Sequence, residues 1–68
     1  MLTASINLGG DTWEVEVYYN GDATITFRGG VGCHGTYCGE MLHDFVGQNH
    51  VPEQVLSLLE EELSNDRD

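Results

Sequence analysis

The sequence predicts a small α+β domain, a three-stranded antiparallel β-meander followed by two helices packed on one of its faces (βββαα). Three observations predict it. Apolar and polar residues alternate with period two from Leu2 to Arg28. Turn residues interrupt that alternation at Gly9–Gly10–Asp11 and again at Asn20–Gly21. Beyond the glycine-rich stretch the apolar spacing changes to three and four, the period of a helix. The chain then divides into a meander (1–28), a connector (29–35), two helices (36–64) and a fraying tail (65–68), all within one domain spanning 1–68.

In the first strand Leu2, Ala4, Ile6 and Leu8 share one face, opposite Thr3, Ser5 and Asn7. Trp13, Val15, Val17 and Tyr19 share a face of the second, opposite Thr12, Glu14, Glu16 and Tyr18. Ala23, Ile25 and Phe27 repeat the pattern in the third, opposite Thr24, Thr26 and Arg28. A type II′ turn at Gly10-Asp11 would pair Leu8 with Trp13 and Ile6 with Val15. At Asn20-Gly21 a two-residue turn would pair Glu16 with Ile25 and bring a carboxylate to the core face, because a one-residue slip inverts every side chain. A type I turn with Gly21 in a G1 bulge avoids this, pairing Tyr18 with Asp22, Val15 with Ile25 and Trp13 with Phe27. In that register Arg28 lies across from Thr12.

Gly29, Gly30, Gly32 and Gly35 mark the connector. A helix over about Tyr37 to Val46 follows, with Thr36 as N-cap, Met41, Leu42, Phe45 and Val46 as apolar stripe, and Gly47 as terminator. After the link Asn49-His50-Val51, Pro52 opens a second helix whose stripe is Val55, Leu56, Leu59 and Leu63. Both helices should cover the Trp13 face and leave the other face of the sheet open.

Charge bounds the function more than any motif does. Twelve Asp and Glu face two Arg (Arg28, Arg67) and no Lys, a formal charge of −10. Such a surface repels DNA, RNA and anionic lipid and attracts basic surfaces, and it favours a monomer. No basic segment precedes an apolar stretch at the N-terminus and no run approaches membrane-spanning length, so the expected location is the cytoplasm. Cys33 and Cys38 are then expected as reduced thiols.

Three catalytic or cofactor readings fail on context. Gly30-Val31-Gly32-Cys33-His34-Gly35 matches G-x-G-x-x-G, yet it follows a strand of an antiparallel meander, not a parallel βαβ unit. Cys33, Cys38, His43 and His50, with His34 nearby, suggest zinc, but positions 38 and 43 fall about 140° apart on a helix. Cys33–His34 and His43–Asp44 lack the orienting group and the pocket that nucleophilic catalysis needs. No enzyme activity and no cofactor are expected.

The carboxylates say more. Glu14 and Glu16 should project from the open face roughly 6.7 Å apart by the strand rise, with Asp11 and Asp22 at the strand's two ends and Ser5, Asn7, Thr24 and Thr26 beside them. Glu53, Glu60, Glu61 and Glu62 stand on the last helix; the run of three near its C-terminus opposes the helix dipole, with no Lys to compensate. The expected partner-binding set is Asp11, Glu14, Glu16, Asp22, Glu53, Glu60 and Glu61.

In size, charge and architecture the whole chain resembles the phage-encoded anti-CRISPR proteins that act as DNA mimics, a grouping that shares no sequence motif. The resemblance implies a mechanism in which carboxylates replace phosphates in a Lys/Arg-lined channel. It also implies a partner, the DNA-binding subunit of a CRISPR effector complex, and the host cytoplasm as the place of action. The alternatives are a small binding or structural module whose acidity serves solubility or salt adaptation, and a zinc-stabilised mini-domain.

Overall fold

A computed structural model of the chain describes residues 1–27, 30, 32–47 and 50–65. Five strands, β1 (Leu2–Leu8), β2 (Asp11–Val17), β3 (Asp22–Phe27), β4 (Gly32–Cys38) and β5 (Met41–Gly47), form one antiparallel sheet in the order β1-β2-β3-β4-β5. A single helix, α1 (Glu53–Asn65), follows. The fold is α+β, but the predicted βββαα order is wrong: two further strands occupy the place of the connector and the first helix.

The misread segment has a physical explanation. Leu42 and Phe45 both face the core, three residues apart as on a helix, because a β-bulge interrupts the ladder between the pairs Thr36↔His43 and His34↔Val46. Asp44, at φ 62°, takes up the extra residue. Glycine was misleading too. A Cβ on Gly32 would lie 2.9 Å from the Ile25 carbonyl oxygen, and one on Gly35 would lie 2.6 Å from the Phe45 ring. These glycines mark close approach inside a strand, not a loose connection.

The meander itself follows the alternation. Trp13, Val15, Val17, Ala23 and Ile25 are buried, and Val15↔Ile25 and Trp13↔Phe27 pair in the expected register. The Tyr18 N–H donates to the Asp22 carbonyl (2.8 Å) with Gly21 at φ 93°, which is the expected bulged turn. The β1–β2 register differs from expectation by two residues: Leu8 pairs with Asp11 and Ile6 with Trp13. Its turn is Gly9-Gly10, with φ of 61° and 87°. Two glycines give the two positive φ values of a type I′ turn at no Cβ cost. A shift of two preserves the facing of every side chain. Arg28 and its expected position opposite Thr12 lie outside the described residues, as do Asn49 and the tail beyond Asn65.

Pro52 stands at the N-cap of α1, its carbonyl accepting from the Leu56 N–H at 3.1 Å. Val55, Leu59 and Leu63 are fully buried, each burial stabilising the fold by about 1.5–3 kcal/mol. The helix packs mainly on β1 and also on β5 and β2. One helix that touches both edge strands implies a sheet curled around it. The Trp13 ring, 4.4 Å from that of Phe27, belongs to the same core.

Candidate acidic face

The uncovered face of the sheet carries the polar half of every strand. Across the strands it reads Thr3–Glu16–Thr24–His34–Val46 in one row and Ser5–Glu14–Thr26–Gly32 in the next. Glu14 and Glu16 are exposed and stand on a strand held from both sides, each between two small hydroxyl side chains. The strand rise separates them by roughly 6.7 Å. Asp22, at the start of β3, is exposed on the same face and accepts a hydrogen bond from Asn20 Nδ2 at Oδ2 (3.0 Å).

The other expected site residues lie elsewhere. Asp11 opens β2 with the parity of Trp13 and is half-buried, so it does not continue the Glu14–Glu16 row. Glu53 and Glu61 are exposed on α1, on the far side of the molecule from the open face. Glu60 is half-buried, and its Oε2 accepts from the Leu42 N–H at 2.7 Å, which ties the helix to β5. The seven carboxylates are therefore not one surface. Glu14, Glu16 and Asp22 share the open face, Asp11 has the opposite parity, Glu53 and Glu61 share the helix, and Glu60 braces the fold.

Half of the open face was not anticipated, because it comes from β4 and β5. His34 lies two strands from Glu16, roughly 10 Å by the usual strand spacing, and shares a hydrogen bond with Thr24 Oγ1 (Nδ1 3.3 Å). His43 Nδ1 sits 2.9 Å from Asp44 Oδ2, an exposed ion pair when the imidazole is protonated. The alternation His34, Thr36, Cys38 against Cys33, Gly35, Tyr37 was the available signal for a fourth strand.

The possible metal ligands are dispersed. Cys33 is buried and Cys38 exposed, on opposite faces of β4, and neither forms a disulfide. His43 belongs to the open face, while His50 precedes α1. Among the described residues no three His, Cys, Asp or Glu side chains are grouped to hold a metal ion. Among those residues, too, no helix is long and apolar enough to cross a membrane. The chain matches no known family model, no curated protein and no solved structure.

Proposed function

We propose that this chain is an acidic binding protein whose open sheet face engages a basic, nucleic-acid-binding surface of a partner protein. In its most specific form the partner is the DNA-binding subunit of a CRISPR effector complex, and binding excludes target DNA. One observation carries the reading: Glu14 and Glu16 stand exposed on a doubly paired strand between Ser5, Thr3, Thr26 and Thr24, in a chain without lysine. Their spacing of roughly 6.7 Å is about twice the 3.4 Å axial step of phosphates along one DNA strand. The short hydroxyl neighbours leave them accessible, and the strand fixes them before binding, so little ordering entropy is lost on association.

The test compares two charge reversals of equal size. Purified CRISPR effector complexes holding labelled duplex DNA are titrated with the protein at two salt concentrations, and displacement of DNA is measured. Glu14→Lys with Glu16→Lys should weaken displacement at least about tenfold, the loss of a few charge-assisted contacts. Glu61→Lys with Glu62→Lys, on the other side of the molecule, should change it little. Circular dichroism checks that both variants fold, as exposed substitutions allow. Equal losses would reduce the effect to bulk charge, and displacement insensitive to salt would defeat the electrostatic mechanism.

A further inference from the structure

We propose that the free edge of β5 from Phe45 to Gly47 docks an extended peptide of alternating basic and apolar residues. The peptide would add to the sheet as a sixth strand beside the start of α1. This site lies at the sheet edge, three strands from Glu14 and Glu16, and does not depend on them.

A sheet edge presents backbone N–H and C=O groups that template pairing with another chain, and folded proteins usually blunt it. Here the two edges are β1 and β5. The helix packs mainly on β1. On β5 the first part of the edge is occupied, because the Leu42 N–H donates to the Glu60 carboxylate. The bulge at Asp44 then bends the strand. Beyond it, among the described residues, β5 has β4 on one side and no strand on the other.

The open part of the edge borders a groove of about 620 Å³, walled by residues 45–47 on one side and by His50, Val51, Glu53 and Leu56 on the other. A groove of this size, between a strand edge and a helix, suits strand addition, in which main-chain bonds supply affinity and alternate side chains fill pockets. Val46 is 73% exposed, an apolar β-branched residue on an edge where lysine or proline would normally discourage pairing.

Charge selects the occupant. Glu53 lies in the groove wall and the Asp44 side chain, 78% exposed, stands where the open segment begins. No described groove residue is Lys or Arg. Side chains of an added strand alternate between faces; the set turned toward α1 would meet the apolar Phe45, Val51 and Leu56 with the Glu53 carboxylate in the same wall, and the strand would also pass Asp44. A second copy of this chain is a poor occupant, since β5–β5 pairing would join two molecules of formal charge −10.

The experiment uses the whole chain, ¹⁵N-labelled, titrated with an end-capped nine-residue peptide of alternating Lys and Val and followed by NMR. Saturable shifts are expected at Phe45–Gly47 and Val51–Leu56. N-methylation of the peptide amides that would face β5 should weaken binding about tenfold or more, since each removes a main-chain hydrogen bond. Glu53→Gln should weaken it about threefold, the scale of one exposed charge pair, whereas Glu14→Lys with Glu16→Lys should leave the shifts at β5 in place. Equal binding of the N-methylated peptide, shifts confined to β2, or no saturable shift would overturn the proposal. Peptide-free shifts at β5 that vary with protein concentration would also overturn it, in favour of self-association.

Discussion

The hairpins at the two ends of the sheet turn in the same way with different residues. β1–β2 reverses through Gly9 and Gly10, at φ 61° and 87°, and β4–β5 through Gly39 and Glu40, at φ 60° and 65°. A left-handed backbone costs an L residue roughly 1–2 kcal/mol and glycine almost nothing. In the first three strands each described residue of positive φ is a glycine, whereas β4–β5 places Glu40 and Asp44 there. The C-terminal hairpin also buries the Tyr37 Oη without a hydrogen-bond partner among the described residues. Local sequence and fold agree in the meander; in β4–β5 they conflict, and tertiary contacts decide. Phe45 stacks over Gly35, Cys33 is buried opposite Gly47, and Glu60 holds Leu42. Structure of this kind depends on the rest of the molecule being in place.

The largest effect comes from disturbing the packing that holds the second hairpin. A Cβ on Gly35 would meet the Phe45 ring at 2.6 and 2.7 Å and the His43 carbonyl oxygen at 2.8 Å. The ring can turn, but the backbone oxygen cannot retreat without opening the bulge. Gly35→Ala should therefore destabilise the fold by about 3 kcal/mol, the upper range for overpacking, out of a total of roughly 3–10 kcal/mol for a chain of this length. Gly10→Ala is the control, with a strained φ but nothing within 4 Å of the added Cβ, and should cost about 1 kcal/mol. Urea denaturation measures both. Equal losses would mean that the two hairpins are held alike.

A smaller effect tests the brace between helix and edge. Glu60→Ala removes the acceptor of the Leu42 N–H in a half-buried setting, which should cost about 2 kcal/mol. Glu60→Gln keeps a carbonyl oxygen there and should cost less than half as much. The comparison sharpens in hydrogen exchange. Amides of β5 should lose protection in Glu60→Ala while those of β2 and β3 keep theirs, because the meander does not need the brace. Uniform loss across all strands would instead make the sheet one cooperative unit.

This contrast also explains what could be read from the sequence. The meander's facing and the β2–β3 register were legible, since one burial pattern and one glycine at φ 93° determine them together. The last helix was legible from Pro52 and the 55–59–63 stripe. β4 and β5 were not, because the bulge at Asp44 gives Leu42 and Phe45 helical spacing and the close-packed Gly32 and Gly35 look like a loop. The acidic face was half legible. Glu14, Glu16 and Asp22 follow from strand parity alone, whereas Glu60 took a tertiary role that no local pattern announces. That Glu53 and Glu61 lie on the far side agrees with the expectation that the helical segment covers the Trp13 face.

The smallest expected effect is also the most direct exchange between the two turns. Glu40→Gly makes the second turn a copy of the first, and Gly10→Glu makes the first a copy of the second. Each substitution acts on two states. In the folded chain, glycine removes about 1–2 kcal/mol of left-handed strain at Glu40. In the unfolded chain, the added glycine freedom takes back about 0.4–1 kcal/mol. The difference leaves Glu40→Gly more stable by about 0.5–1 kcal/mol, which at this chain length is a rise in Tm of roughly 2–8 °C. Gly10→Glu should lose a similar amount by the same reasoning with both signs reversed. The pair of melting curves checks whether backbone strain alone separates the turns. If Glu40→Gly is neutral or destabilising while Gly10→Glu behaves as expected, the Glu40 side chain contributes contacts that offset its strain. The C-terminal hairpin would then be less dependent on Gly35 and Glu60 than its backbone implies.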